Sequence, residues 1–558
     1  MRTMHTIMAL ALAAGTALSD APRLLSDSPR PLVFTKALVS LDPARPPAAA
    51  ALLIEGGRIT FVGEEAEARR RGANVHASVI ELPGAVIYPG WTDAHGHLLS
   101  LGEGRENLDL RGKSKEEVLR LVAERAARST PGTWIQGRGW DQNLWPGGAF
   151  PNSTELSARS PKNPVALSRI DGHAVWANDL AMGAARIADD VANPSGGRVL
   201  RDPSGRPTGI FVDNAEDLIR RAIPEPGAKE RARSFETAFA ACARVGLTGV
   251  GDASSYERAS IDVLRELART RRMPIRVYAT VGAGDPRLEE FLSAPRIEEG
   301  RLTVRAVKMY ADGALGSRGA ALLADYADEP GNRGLVVTPP DEMARVAERC
   351  FRAGWQIWTH AIGDRGNRLA LEAYEKAMVR VHPPDARPRI EHAQVIALED
   401  RSRWAALGVI ASVQPAHATS DMGWAAQRLG PARLAGAYAW RKLRDAGIRL
   451  AGGSDFPVES EDPKLGLYAA VTRRDPAGQP PGGWRPEESL TPFEALKLFT
   501  ADNAYAEFAE KRRGRIAMGF DADLTILDRD VEAVTPSDIL TSRVLMTVVG
   551  GEIVFQER

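Results

Sequence analysis

The chain has 558 residues, 44% of them hydrophobic and 26% charged, which is room for several domains or for one large α/β barrel with additions. Its 72 Lys and Arg balance its 72 Asp and Glu. That balance excludes a basic nucleic-acid binder or a polybasic membrane-surface protein, and the hydrophobic content excludes intrinsic disorder. Two cysteines, Cys242 and Cys350, are too few for a disulfide framework; both fall in helical stretches and are expected to be buried thiols.

At the start of the chain, Arg2 precedes an apolar run from Ile7 to Leu18, followed by Ala17-Leu18-Ser19 ahead of Asp20. This is the layout of a secretory signal, assigned to residues 1–19. The run is shorter than the roughly 20 residues that span a bilayer. An exported protein without a stable membrane span is therefore expected. Next, strand-like runs at 51–55 and 58–62 flank Gly56-Gly57, a two-residue hairpin signal. The same device recurs where 544–549 and 552–555 flank Gly550-Gly551, with 523–527 upstream. A small β domain built from both chain ends, 32–84 and 507–558, is the expected reading.

Between them, residues 85–506 alternate strands with amphipathic helices. The candidate strands are 85–88, 248–251, 275–281, 302–309, 355–359, 389–391, 409–413 and 449–451. Such alternation predicts an α/β fold, a (β/α)₈ TIM-type barrel. An open doubly wound sheet is the competing architecture. The first gap is too long for one helix, so an insertion is expected at about 100–230, rich in Trp, Gly and Pro around 134–151.

The chemistry sits at strand ends. His95 and His97, two apart in extended chain, face the same side and can grip one ion, with Gly96 allowing close backbone approach. Neutral imidazole nitrogen suits zinc and similar divalent metals. Thr359-His360 ends the fifth strand, Glu391-His392 the sixth, and Gly453-Ser454-Asp455 the eighth. In a closed parallel barrel these ends converge on one face, gathering four imidazoles and a carboxylate. Lys308 lies inside the apolar run 302–310, where an amine is costly unless paired or modified. Desolvation favours the neutral amine, which can take up carbon dioxide as a carbamate able to bridge two ions. The plain alternative is an ion pair with Asp312 or Asp455.

His95-Gly96-His97, Lys308, His360, His392 and Asp455 resemble, in type, order and strand-end placement, the metal site of the amidohydrolase superfamily. The phrases Trp91-Thr92-Asp93-Ala94-His95-Gly96-His97, Arg169-Ile170-Asp171-Gly172-His173-Ala174, Lys308-Met309-Tyr310-Ala311-Asp312-Gly313-Ala314-Leu315-Gly316-Ser317-Arg318 and Gly452-Gly453-Ser454-Asp455-Phe456-Pro457-Val458 look like its amidohydrolase-3 branch. That branch includes N-substituted formamide deformylases, and the likeness runs from about 32 to 555. It implies a metal-bearing barrel with a split β domain and a carbamylated Lys308. The expected cofactor is a divalent metal, zinc above others, as one or two ions.

The chemistry implied is metal-assisted hydrolysis of an amide, formamide or cyclic amide in a small-molecule substrate. His95 and His97 would hold one ion and His360 and His392 the other. Lys308 would bridge, and Asp455 would complete the site and shuttle the proton. His173 is a candidate catalytic and substrate-binding residue or a structural histidine. Arg318 is a candidate for a substrate carboxylate or a loop anchor. Trp140, with Asp141 and Trp145, walls the pocket or fills the insertion's core. His417 borders the site, whereas His76 and His382 read as loop residues and His5 lies in the leader. Competing readings are the same metal site acting on a lactone, a phosphoester or by deamination, and a non-catalytic exported metal- or solute-binding protein. Self-association into a homo-oligomer is left open.

Overall fold

Eight strands of a nine-stranded sheet lie side by side in sequence order: β1 (Trp91–Gly96), β2 (Leu247–Tyr256), β3 (Arg276–Gly282), β4 (Leu302–Tyr310), β5 (Gln356–Ala361), β6 (Arg389–His392), β7 (Ile410–Val413) and β8 (Leu450–Gly452). Each adjacent pair among these eight is parallel, and the ninth strand, Ile297–Glu299, pairs antiparallel with β4. This computed structural model describes residues 29–36, 38–39, 51–169, 174–194 and 197–557. The expected leader at 1–19 and His173 lie outside them. Where β1 and β8 approach, a side chain stands in for the ladder. The Asn503 amide donates to the carbonyls of Thr92 (2.6 Å) and Gly452 (2.9 Å) and accepts the Gly452 N–H (3.0 Å). The Asp455 N–H donates to the His95 carbonyl at 2.7 Å. The result is a near-closed TIM-type barrel.

Helices cover the strands for local reasons legible in their sequences. Pro340–Arg352, between β4 and β5, has proline at its start, Asp341 and Glu342 in its first turn, and Arg349 and Arg352 in its last. That arrangement complements the helix dipole. Its buried stripe of Met343, Val346, Ala347, Cys350 and Phe351 faces the core. Cys350 and Cys242 are both free and buried. Among the described residues no helix is long and apolar enough to cross a membrane.

One strand differs from the sequence expectation. Val86–Pro89 pairs with Leu38–Val39 and Leu524–Leu527 in a five-stranded sheet with Val544–Val549 and Glu552–Gln556, and is not a barrel strand. The barrel begins one residue further on, at Trp91, after Gly90. The two strands are short and only one glycine apart, so the sequence does not divide them and their pairing does. A second sheet joins Arg58–Gly63, Ala51–Glu55, Leu32–Thr35 and Ser78–Glu81. Gly56-Gly57 and Gly550-Gly551 turn their hairpins with positive φ at both residues. Residues from both chain ends share one core, in which Phe34, Leu52 and Ile54 pack with Leu524, Ile526 and Val548.

Ser100–Thr237 forms a separate compact unit. Its six-stranded sheet runs in the order Gly197–Arg201, Pro207–Asp213, Ala174–Ala177, Val165–Arg169, Ile135–Trp140, Leu108–Asp109. Capping boxes start its helices Lys115–Arg128 (Ser114 with Glu117) and Ser153–Arg159 (Asn152 with Glu155). Trp140, Trp145 and Trp176 pack together in its core with centroids about 6 Å apart.

Candidate metal centre

The barrel's carboxyl end is fixed by Asp93. Buried on β1, it accepts the N–H of His95 (2.9 Å) and both the N–H (3.0 Å) and hydroxyl (2.7 Å) of Ser454. Burial raises its carboxyl to about 7, those hydrogen bonds opposing the rise. Two glycines make the join possible. A Cβ at Gly96 would lie 2.4 Å from the Phe456 ring, and one at Gly453 would lie 2.5 Å from the His95 nitrogen. His392 and Asp455 both hold positive φ (74° and 62°), a costly conformation for branched or bulky residues that the surrounding packing must sustain.

Each imidazole is oriented by a partner. His95 Nδ1 lies 2.5 Å from Glu391 Oε2, and Glu391 is itself gripped by Arg389 at 2.8 and 3.0 Å. His97 Nδ1 lies 3.3 Å from the Ser254 hydroxyl, whose own hydrogen goes to Asp252 at 2.5 Å. His392 Nδ1 lies 2.8 Å from Gln414 Oε1, and the Gln414 amide is oriented by donating to the Ser412 carbonyl. In all three the ring hydrogen belongs on Nδ1, so Nε2 carries a lone pair. His360 is the reverse: its Nε2 faces the Gly313 carbonyl at 3.5 Å, which leaves Nδ1 as the acceptor.

Those lone pairs meet a carboxylate. Asp455 Oδ1 lies 2.9 Å from His97 Nε2 and 3.4 Å from His95 Nε2. The buried His95 Nε2 has no hydrogen-bond partner. Facing acceptors at such distances call for a cation between them. Ligand atoms of His95, His392 and Asp455 all lie within 4.8 Å of one another, and the His360 ring sits 4.5 Å from that of His392. The residues present therefore fit a divalent metal. Imidazoles whose far nitrogen bonds a carboxylate, hydroxyl or amide are the usual form of metal-ligating histidine.

Electrostatics agree with that fit. Burial, aided by the nearby Lys308 ammonium, lowers His95 to about 4 and His360 to about 3, and burial drives His392 well below its ordinary value. All three are neutral and available as ligands at neutral pH. For Asp455, burial acts upward, but its close contact with His97 and the other imidazoles outweighs that and holds the carboxyl at about 2. Lys308 is 2% exposed, and burial lowers it to about 8 against the pull of Glu391 and Asp455. Asp312 does not pair with it, because its carboxylate already accepts the N–H groups of Ala321, Ile362 and Gly363.

His95, His97, Lys308, His360, His392 and Asp455 line one pocket of about 420 Å³. His417 joins them, buried on helix Pro415–Asp421 directly after β7. Two further sequence candidates have structural partners. Trp140 is fully buried in the core of Ser100–Thr237 and donates its N–H to the Leu167 carbonyl, so packing within that unit, the second of its two expected roles, accounts for it. Arg318 pairs with Asp328 (3.0 Å) and Glu329 (3.2 Å) and does not line the pocket, so it anchors a loop. The orienting residues Glu391, Ser254 and Gln414 were not among the sequence candidates. Arg389 and Glu391, two charges alternating along a strand buried throughout, were the signal for the first of them.

A model described as "Amidohydrolase family" matches residues 78–555. The chain is 34% identical over 517 residues to the putative amidohydrolase YtcJ of Bacillus subtilis, covering 91% of this chain and 96% of that one. It is 29% identical to an N-substituted formamide deformylase of Arthrobacter pascens, covering 94% and 98%. An uncharacterized metal-dependent hydrolase of Pyrococcus furiosus superposes with a TM-score of 0.76 at 29% identity, over 90% of this chain and all of that one.

Proposed function

The chain belongs to the amidohydrolase family and is a hydrolase, and from that premise we propose that it cleaves a C–N bond of a small amide, formamide or cyclic amide at a divalent-metal site. The observation that carries this reading is the buried, partnerless Nε2 of His95 facing Asp455 among the other imidazoles. The Arthrobacter pascens relative, a formamide deformylase by name, supports the choice of bond.

His95, His97 and His392 through Nε2, His360 through Nδ1 and Asp455 through Oδ1 would hold the metal, with zinc as the proposed ion. Lys308, a buried amine in the same pocket, would complete the set as a carbamate. When bound, such an ion supplies Lewis acidity toward a carbonyl and acidifies water. The protein's own part falls to Asp455. Ionised at neutral pH, it takes the proton of the attacking water on Oδ2 as the water oxygen bonds to the carbonyl carbon. When the C–N bond breaks, that proton passes to the leaving nitrogen. Among the described residues, Lys308 is the only Lys or Arg lining the pocket, which favours uncharged substrates over carboxylates. Export through residues 1–19 belongs to the same proposal, and the first residue of the mature protein tests it.

The reading is tested by metal analysis of the purified protein, followed by turnover on a panel of formamides, acylamino acids, cyclic amides and lactones. Bound divalent metal with turnover of uncharged amides supports it. A metal-loaded protein that cleaves only lactones, or nothing, refutes it.

A further inference from the structure

His417 breaks the pattern set by its neighbours. Where His95, His97 and His392 present Nδ1 to an accepting oxygen, His417 Nδ1 lies 3.3 Å from the amide nitrogen of Gln394. An N–H donor at that position makes Nδ1 the acceptor and places the ring hydrogen on Nε2. The Gln394 backbone is held beside it, its carbonyl accepting the Tyr438 N–H at 2.6 Å. The His417 ring lies parallel to that of His392 at 6.1 Å, and its Nε2 is buried, without a hydrogen-bond partner, on the pocket wall. The nearest carboxylate oxygen is Asp455 Oδ2 at 3.8 Å, too long for a direct bond. Asp455 is thus split: Oδ1 faces the metal-ligating imidazoles, whereas Oδ2 faces His417.

We propose that His417 is a catalytic residue whose Nε2–H donates to the scissile carbonyl oxygen of the substrate. An N–H cannot serve as a metal ligand, so His417 stands outside the ligand set although its ring stacks on a member of it. A fixed, buried donor with no protein acceptor is the arrangement that stabilises charge appearing only in a transition state. The inference rests on the hydrolase reading above. As the water oxygen bonds to the carbonyl carbon, negative charge collects on the carbonyl oxygen, and the donor meets it there. When the C–N bond breaks, Asp455 Oδ2 supplies the proton to nitrogen and His417 keeps its own hydrogen. The substrate class is a carbonyl compound whose oxygen accepts a hydrogen bond on the Asp455 Oδ2 side of the pocket.

The test uses the full-length, metal-loaded protein and its best panel substrate, with His417→Ala, His417→Gln and Gln394→Leu variants. His417→Ala is expected to lower kcat by about 10²–10³-fold, the range for one lost oxyanion donor, with KM and bound metal within twofold of wild type. His417→Gln, which can offer an amide N–H, is expected to recover at least tenfold of that loss. Gln394→Leu, which frees Nδ1, should fall between. A phosphonate analogue of the tetrahedral species should lose affinity for His417→Ala in proportion to the loss of kcat. A merely structural histidine would not produce that parallel. Unchanged kcat in His417→Ala, or loss of bound metal in step with activity, overturns the assignment while leaving the hydrolase reading intact. Wild-type protein that turns over no panel member overturns both.

Discussion

Two regions of this protein bury unusual concentrations of large polar-tipped rings, and they treat their polar atoms in opposite ways. In the core of Ser100–Thr237, the indole N–H groups of Trp140, Trp145 and Trp176 donate to the carbonyls of Leu167, Lys113 and Asn152. At the carboxyl end of the barrel, the outward nitrogens of the imidazoles are oriented with equal care, yet Nε2 of His95 and of His417 have no protein partner. Leaving a buried polar atom unpaired costs about 1–3 kcal/mol. The three indoles are satisfied by the protein alone, whereas the imidazole cluster leaves two ring nitrogens free for a group the chain does not encode. Between these two clusters the difference lies in the partners of the ring nitrogens.

The sharpest way to break that contrast is to remove its carboxylate. Asp455→Ala is expected to lower kcat by about 10²–10⁴-fold, the range for a positioned acid–base. Near-normal turnover at full metal content would show that Asp455 does not move the proton. In the other region, Trp140→Ala should reduce unfolding stability by about 3–5 kcal/mol through the cavity it leaves, with metal bound per folded chain unchanged. Denaturant unfolding and metal analysis together check this. Metal loss without destabilisation would reverse the assignment of the two regions.

A subtler change loosens one orienting contact. Glu391→Gln keeps the shape beside His95 but removes the charge that holds the ring hydrogen on Nδ1. Metal affinity is expected to fall by about 10–100-fold, measured by competition with a chelator. The mildest probe is pH. His95 and His360 are lowered to about 4 and 3 in the fold, from an ordinary value near 6.5. Between those values these two histidines bind more protons in the unfolded chain than in the folded one, so their contribution to stability rises with pH across that window and is lost as pH drops from about 6.5 toward 4. The slope is at most about 1.4 kcal/mol per pH unit for each histidine. Asp93, held up at about 7, acts in the opposite direction over the same range, so thermal unfolding of chelator-treated protein is compared with that of a His95→Gln, His360→Gln variant, and a pH slope identical in the two would deny that these histidines are buried neutral.

What the sequence made legible was set by periodicity and by the barrel's own geometry. Strand-end placement was enough to gather His95, His97, His360, His392 and Asp455 on one pocket, because parallel strands in a barrel share one carboxyl face, whereas Lys308 joined them through the family resemblance. The first strand was misplaced because 85–88 is the apolar run, whereas the barrel strand Trp91–Gly96 carries Thr92, Asp93 and His95 and is identified only by its partners. Glu391 and Gln414 escaped notice for another reason. Their roles depend on side chains approaching across adjacent strands, which linear spacing does not encode. The two tautomer classes of histidine follow from such neighbours, and so does the place of Trp140 within a core.

The central claim is that the imidazoles and Asp455 at the barrel's carboxyl end are a ligand set for a divalent cation. A crystal of the metal-loaded protein, with anomalous diffraction recorded on both sides of the zinc absorption edge, tests it directly. The account predicts one or two peaks among His95, His97, His360, His392 and Asp455, with Nε2 of His95 and His392 within bonding distance. Peaks elsewhere on the surface, or a protein that takes up no ion while its fold is intact, would contradict it.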